Sequence, residues 1–335
     1  MLEYSIKTMA NVYFSKTIKT ILDSIDYSSL GNKVAIKVHF GEKGCDTYID
    51  PKIVKSVYQK IEDLGKKPTL VECNVLYKGS RTNSTDHIKT AHKHGFVDMD
   101  IDILDGEKGE QFIEINGCKL GAGLKKYDSL IVLSHFKGHS SAGFGAAIKN
   151  VGMGLGSRAG KLHMHSQICP FIDQEQCVGC GLCLKGCDFN AITMTNGKAK
   201  IDPDKCQGCA MCISVCPHHA ASVPWDGGTD DYLQQMIAKY TSAALSLFNH
   251  PIFINVLQKI TSACDCVGRP QKIIMDDIGI VYSTDITAID QASLDLANKY
   301  SKNKFNKINR VNKFNQIKFA QAISLGNKNY KLINL

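Results

Sequence analysis

The 335 residues are 44% apolar, enough for one large core carrying an appended module or for two ordinary domains, and too apolar for a disordered chain. The net charge of +8 invites nucleic acid, but nine of the 40 basic residues and no acidic ones follow Asp295, leaving 31 basic against 32 acidic residues before it, so the distribution argues against that class. No run of about 18 apolar residues exists to span a membrane, and the opening MLEYSIKTMANVYFSK lacks the order of a signal peptide, so a cytoplasmic location is expected.

In chain order, KVAIKVHF (33–40) has the bounded, β-branched composition of a buried strand. A helix is predicted over 51–64, capped by Asp50, with Pro51 suited to its first turn and Gly65 stopping it. PTLVEC (68–73) is a second strand, a short helix follows near Ser84 to His94, and SLIVLSHF (129–136) completes a βαβ alternation. If these strands are parallel, the residues past their carboxyl ends gather in one crevice. Lys37 and His39, Glu72 and Asn74, and His135 and His139 occupy those positions. Lys37 and His39 are therefore candidate cofactor-binding residues.

Glycines then fall at 138, 143, 145, 152, 154, 156 and 160, with Lys149, Arg158 and Lys161 among them. Such a stretch can lay backbone amides against an anion while cations neutralise it, which makes Gly152, Gly154 and Arg158 candidates for binding an anionic ligand. Tight packing explains glycines equally. The order of a P-loop is absent, which argues against an ATPase. His139 can act as acid or base, Lys149 can hold a carboxylate or phosphate, and His165 can ligate a second metal; these three are the candidate catalytic residues, with ordinary hydrogen-bonded side chains as the alternative.

Fourteen cysteines without an export signal point to metal ligation rather than disulfides. Eight are clustered: CVGCGLCLKGCDFNAI from Cys177 and CQGCAMCISVCPHHAA from Cys206 each read C-x2-C-x2-C-x3-C and repeat at an offset of 29. Three thiolates at this spacing hold one iron–sulfur cube while the fourth serves the other cube. Cluster one is expected to use Cys177, Cys180, Cys183 and Cys216, and cluster two Cys206, Cys209, Cys212 and Cys187, giving two 4Fe-4S clusters. Paired C-x2-C units also bind zinc, the competing reading. Cys45, Cys73, Cys118 and Cys169 lie outside the pattern and are expected to be unreactive thiols.

Over about 45 residues this segment resembles bacterial two-cluster ferredoxins. Pro217 follows Cys216 as is usual there, but Asp188 follows Cys187, a departure that bears on potential and rigidity rather than on the ligand set.

Downstream, residues 229–262 are predicted to be mostly helical and KIIMDDIGIVYS (272–283) to be a strand, followed by a helix capped by Thr284 or Asp285 with Ile286, Ile289, Leu294 and Leu296 along it. Cys264 and Cys266 with Asp265 in CDC have the composition to ligate a metal or form a redox thiol pair; structural use is preferred. Asp276, Asp277, Asp285 and Asp290 are candidate functional carboxylates in the crevice, with helix capping and strand-end solvation as the adequate alternative. The expected fold is α/β, a parallel or mixed sheet with flanking helices, interrupted by a small ferredoxin-like α+β insert: 1–168 and 225–335 form the body and 169–224 the module. Two consecutive independent domains are the alternative.

VAIKVHFGEKG (34–44), SHFKGHSSAGFGAAIKNVGMGLGSRAGKLHMHS (134–166), CDCVG (264–268), IGIVYSTDITAIDQASLDL (278–296) and the terminal AISLGNKNYKLINL together resemble the prokaryotic family called domain of unknown function 362, in versions with a ferredoxin insert. The resemblance implies an iron–sulfur protein of anaerobes with no assigned substrate. Over about 30 residues, His139, AGFGAAIK ending at Lys149, and His165 are similar in order and spacing to nickel-dependent lactate racemases. That resemblance implies a catalytic histidine, a cofactor-contacting lysine and a nickel-side histidine. The preferred function is electron transfer to or from a redox partner protein or a small-molecule substrate at the crevice. A non-redox isomerase or transferase using His139, Lys149 and His165 is the second reading. A metallocofactor maturation or electron-delivery factor that docks through its basic tail is the third.

Overall fold

Short apolar runs bounded by turn residues become strands here because their alternate side chains are buried on opposite faces of one sheet. The computed structural model describes residues 9–165, 169–224, 229–308 and 311–335. The strands are β1 (Ala10–Ser15), β2 (Lys33–Lys37), β3 (Lys67–Glu72), β4 (Ile101–Ile103), β5 (Ser129–His135), β6 (Ile252–Leu257), β7 (Gly279–Ser283) and β8 (Tyr330–Asn334), in the order β8-β1-β7-β6-β5-β2-β3-β4. Neighbours from β6 to β4 pair in parallel, β7 runs antiparallel to both β6 and β1, and β8 is parallel to β1. The sheet is therefore mixed, and the fold is α/β.

Ile36, Leu70, Ile131 and Ile254 enter one core, and Ala35, Val71, Val132 and Phe253 the other. This period-two division needs helices on both faces. α1 (Ile18–Ser24) and α2 (Pro51–Asp63) cover the first, with α3 (Ser84–Lys93) at its edge. α4 (Ala147–Leu155), α6 (Asp230–Leu245), α7 (Ile286–Tyr300) and α8 (Asn315–Ala322) cover the second, while α5 (Arg158–His165) follows α4. The expected caps form: Asp50 accepts from the Lys52 amide at 2.9 Å, and Asp285 from the Thr287 and Ala288 amides at 2.9 Å.

Two downstream expectations are corrected. Helix α6 ends at Leu245, and Ile252–Leu257 is a buried strand beside β5. A six-residue apolar run has no period that separates strand from helix, and burial on both faces decided it. Of 272–283 only Gly279–Ser283 is strand. The basic tail is built into the fold through α8 and β8, β8 extending the sheet beside β1; Arg310 lies outside the described residues.

Residues 169–224 have a separate small core, formed by Cys177, Cys183, Cys212 and Cys216 with Ile192, Ile213 and Ala220. Two ribbons, Phe171–Ile172 with Ala221–Ser222 and Ile192–Thr195 with Lys198–Ile201, and two short helices, Leu182–Lys185 and Met211–Val215, surround it. The expected boundaries adjoin 166–168 and 225–228, which lie outside the described residues.

Candidate functional site

The duplicated cysteine sequence produces a duplicated backbone. Gly179 and Gly208, Gly181 and Ala210, and Asn190 and His219 all take positive φ, and each pair stands 29 residues apart. Ala210 and His219 do so against the steric preference of L-residues, because the same loop must close in both halves. The halves also exchange partners: the Asp173 amide donates to the Ala220 carbonyl at 2.7 Å and the Asp202 amide to that of Ala191 at 2.8 Å. The ends of each cysteine run are thereby pinned to the start of the other.

Thiol neighbours follow the same crossing. Burial raises the Cys183 thiol, with Cys216 and Cys177 adding to it, and burial raises the Cys209 thiol, with Cys187 and Cys206 adding. A small hollow is lined by Cys177, Cys180, Cys183 and Cys216 together with Gly179, Gly181 and Ala220. The Ala199 amide donates to Cys177 Sγ at 3.4 Å. Four converging sulfurs, an apolar wall and an amide aimed at sulfur suit an iron–sulfur cube.

A cavity of about 340 Å³ opens past the carboxyl ends of β2, β3, β5 and β6. Each strand brings one polar element to it: His39 after β2, Glu72 ending β3, Lys137 and His139 after β5, and Cys264 and Cys266 after β6. Its wall is a buried ion network. Lys37 Nζ donates to Glu72 Oε1 and Asn150 Oδ1, both at 2.7 Å, and to the Val38 carbonyl at 3.0 Å. Arg81 Nε lies 3.2 Å from Glu42 Oε2, and its Nη2 donates to Tyr77 Oη at 2.7 Å. Burial opposes ionisation of Glu72, yet Lys37, His39 and Arg81 outweigh it and hold the carboxyl well below its ordinary range.

His39 Nδ1 lies 3.0 Å from Glu72 Oε2 and 3.2 Å from Arg81 Nη1, and its Nε2 is buried with no partner among the described residues. The Ser141 and Ala142 amides donate to His139 Nδ1 at 3.2 and 3.0 Å, so the proton of its neutral ring is on Nε2. Burial and then Lys149 push His139 down to about 3, and the same two causes push His165 down to about 4.

Cys264 and Cys266 form the floor. Between them Asp265 turns away, its carboxylate 2.9 Å from His135 Nδ1 and 3.0 Å from Lys137 Nζ. His135 Nε2 donates to the Gln258 carbonyl at 2.9 Å, so both its ring nitrogens are committed to acceptors. The Glu42 amide donates to the Asp265 carbonyl at 2.9 Å and Tyr77 Oη to that of Cys266 at 3.3 Å.

Of the predicted residues, His39, His139, Lys149, Gly154 and His165 line this one cavity. Lys37 is buried behind Glu72. The glycine-rich stretch is used for packing. A Cβ on Gly152 would lie 2.3 Å from the Ile237 carbonyl, and one on Gly154 2.3 Å from Lys37 Cε. The free amides of α4 are occupied, since Ala147 and Ile148 donate at 2.9 Å to Asp290 from α7. That internal carboxylate takes the place expected for an anionic ligand. Arg158 is buried outside the cavity, donating to the carbonyls of Lys108 and Thr82, with Cys209 and Cys212 in its field. Sequence reasoning missed Tyr77, Arg81 and Lys137, and it set Cys264 and Cys266 aside as structural; the CDC doublet was the available signal.

The cysteine segment and the cavity share a wall. Leu76 lines the cavity and also packs in the core of Cys177, Cys183, Cys212 and Cys216, where Leu162 joins it. Lys78 Nζ donates to the Cys216 carbonyl at 3.0 Å, one residue beyond the tyrosine that holds Cys266. Among the described residues no helix is long and apolar enough to cross a membrane.

A family described as domain of unknown function (DUF362) matches residues 34–295. No curated protein matches the chain. Among solved structures, the lactate racemase apoprotein from Thermoanaerobacterium thermosaccharolyticum is similar at 10% identity and a TM-score of 0.35, over 75% of this chain and 51% of that one. A structural-genomics crystal structure from Thermotoga maritima is similar at 7% identity and a TM-score of 0.37, over 85% of this chain and 56% of the other. The chain thus spans a little over half the length of these two structures.

Proposed function

The chain belongs to the domain of unknown function (DUF362) family, and on that premise we propose that it is an iron–sulfur protein carrying two 4Fe-4S clusters, which pass single electrons to or from a small molecule in the cavity. In this reading residues 169–224 are the cluster module of an α/β body formed by 1–168 and 225–335. Cys177, Cys180, Cys183 and Cys216 would hold one cluster and Cys206, Cys209, Cys212 and Cys187 the other. The protein would work in a reducing compartment, where fourteen cysteines remain thiols.

The observation that carries the reading is the crossed exchange between the two cysteine runs on the outer side of Leu76, whose inner side lines the cavity. When bound, the clusters supply one-electron chemistry; the remaining tasks fall to the chain. Lys149 lines the cavity and offers its charge to an anionic group, while His139 Nε2–H is a hydrogen-bond donor and His39 Nε2 is a buried ring nitrogen with no partner among the described residues. Leu76 and Leu162 keep water from the shared wall.

Anaerobically purified protein is expected to contain about eight iron and eight acid-labile sulfide per chain. Cys216→Ser and Cys187→Ser should each lose one cluster, the first removing the cluster held by the 177–183 run and the second that of the 206–212 run. Iron-free protein, or loss confined to the run carrying the substitution, overturns the reading. A non-redox isomerase or transferase is the second reading, favoured by His139, Lys149 and His165 lining one cavity. Turnover that persists with the clusters held oxidised would select it.

A further inference from the structure

Cys264 and Cys266 both line the cavity, their sulfurs and a nitrogen of His139 lie within 4.8 Å of one another, and the loop that carries them is anchored from several sides. The trio has the composition of a metal site, but its hydrogen bonds point elsewhere. His139 Nδ1 accepts from two backbone amides, so a neutral ring has no lone pair left at Nε2. Metal-bound histidines use the reverse arrangement, donating their second ring N–H to an acceptor. Two sulfurs alone make an incomplete site for zinc.

The loop geometry favours a bond between the sulfurs. The Val267 amide donates to the Cys264 carbonyl at 3.0 Å, closing a turn that brings residues two apart nearer than an extended chain does. The Cys266 amide also donates to Cys264 Sγ at 3.4 Å. A hydrogen bond from the Cys266 thiol, then the ammonium groups of Lys149 and Lys137, lower the Cys264 thiol well below its ordinary range although burial opposes this. Within the pair, Cys266 is raised by the same bond and by burial. A thiol that ionises more readily than usual thus sits beside a second thiol, the arrangement from which thiol–disulfide exchange proceeds.

We propose that Cys264 and Cys266 are a catalytic dithiol, which reduces a small anionic disulfide in the cavity and is itself re-reduced by the two clusters. The supply of electrons rests on the iron–sulfur reading; the dithiol does not. The Cys264 thiolate attacks one sulfur of the substrate disulfide, that S–S bond breaks, and the departing thiolate, hydrogen-bonded by His139 Nε2–H, takes its proton from the Cys266 thiol. The resulting Cys266 thiolate attacks the mixed disulfide, releases the other half of the substrate as a thiolate that takes a proton from solvent, and leaves a Cys264–Cys266 disulfide. Two electrons and one proton would restore the thiol–thiolate pair; when bound, the clusters would supply the electrons, one each, drawn from a low-potential one-electron donor. Lys149 holds the substrate's anionic group.

Trypsin releases both cysteines in one peptide, Ile260–Lys272, because Arg269 precedes proline, and that peptide contains no other cysteine. Anaerobic holoprotein equilibrated with oxidised glutathione should yield this peptide unalkylated and lighter by two hydrogens. Photoreduction of the clusters should return it as the doubly alkylated dithiol, and this return should be lost in a Cys183→Ser/Cys212→Ser variant. Cys264→Ser and Cys266→Ser should each keep the iron and the reduced-cluster electron paramagnetic resonance signal while losing cluster-driven reduction of oxidised glutathione. A peptide alkylated at every glutathione ratio, a disulfide that survives cluster reduction, or a peptide protected by one equivalent of zinc overturns the proposal. Iron content in the same samples separates the two readings: normal iron with no disulfide refutes the dithiol alone, whereas a disulfide in iron-free protein refutes the clusters as its electron source.

Discussion

Replacing Gly152 by alanine sets helix propensity against packing. On propensity alone the change stabilises, because alanine is favoured over glycine by about 1 kcal/mol in a helix interior. The new Cβ would lie 2.3 Å from the Ile237 carbonyl and 2.7 Å from Thr241 Oγ1. The nearer atom is backbone of α6 and cannot rotate away, so α4 and α6 must part at a contact inside the core they both cover. Overpacking costs about 1 to 3 kcal/mol, and an unyielding backbone contact belongs near the upper end, so the net loss is about 2 kcal/mol after the propensity gain. Gly154→Ala would place a Cβ 2.3 Å from Lys37 Cε and 2.6 Å from its Nζ, and because that ammonium holds three buried hydrogen bonds the variant should also be destabilised. Anaerobic urea unfolding of both variants, followed by tryptophan fluorescence and far-ultraviolet circular dichroism, provides the comparison. A Gly152→Ala protein as stable as the parent, or one that loses only ligand binding, would refute the packing role.

Lys37→Met should destabilise by about 3 to 5 kcal/mol because it strands Glu72, and Lys37→Met/Glu72→Gln should recover a large part, read by the same unfolding assay. Asp105 and Asp290 are each pushed up to about 6 by burial from 3.8. A carboxyl with a raised folded pKa binds its proton more tightly when folded, so stability should rise as pH falls from about 6 to about 4, by roughly 3 kcal/mol for each group. Asp290→Asn should remove one share of that slope, and an unchanged slope would discount this carboxyl. Arg158→Met removes a buried cation beside Cys209 and Cys212 and should make the cluster held by the 206–212 run harder to reduce than in the parent, leaving the other unchanged in a redox titration followed by electron paramagnetic resonance.

The amino-acid sequence by itself determined the locally encoded features. Strands 33–37, 67–72 and 129–135 and the capped helices from Pro51 and Ile286 follow from short-range apolar pattern and capping chemistry. The 29-residue repeat likewise dictated its own paired turns, because identical spacing imposes identical backbone requirements. Sequence also placed His39, Glu72 and His139 at the cavity, since residues beyond parallel strand ends converge there.

Only the tertiary structure decided the rest. Ile252–Leu257 became a strand through burial between β5 and β7, a fact about neighbours absent from the run itself. Gly152 packs against α6 and Gly154 against Lys37 at the cavity wall, which only the packed structure shows, because a missing Cβ reads the same in sequence whatever lies against it. Asp290 reached the start of α4 across a separation of 143 residues, and Asp265 met His135 across 130. Cys264 and Cys266 changed from a structural doublet to the floor of a cavity for the same reason: charge, burial and reach are properties of the packed arrangement, and local sequence does not carry them.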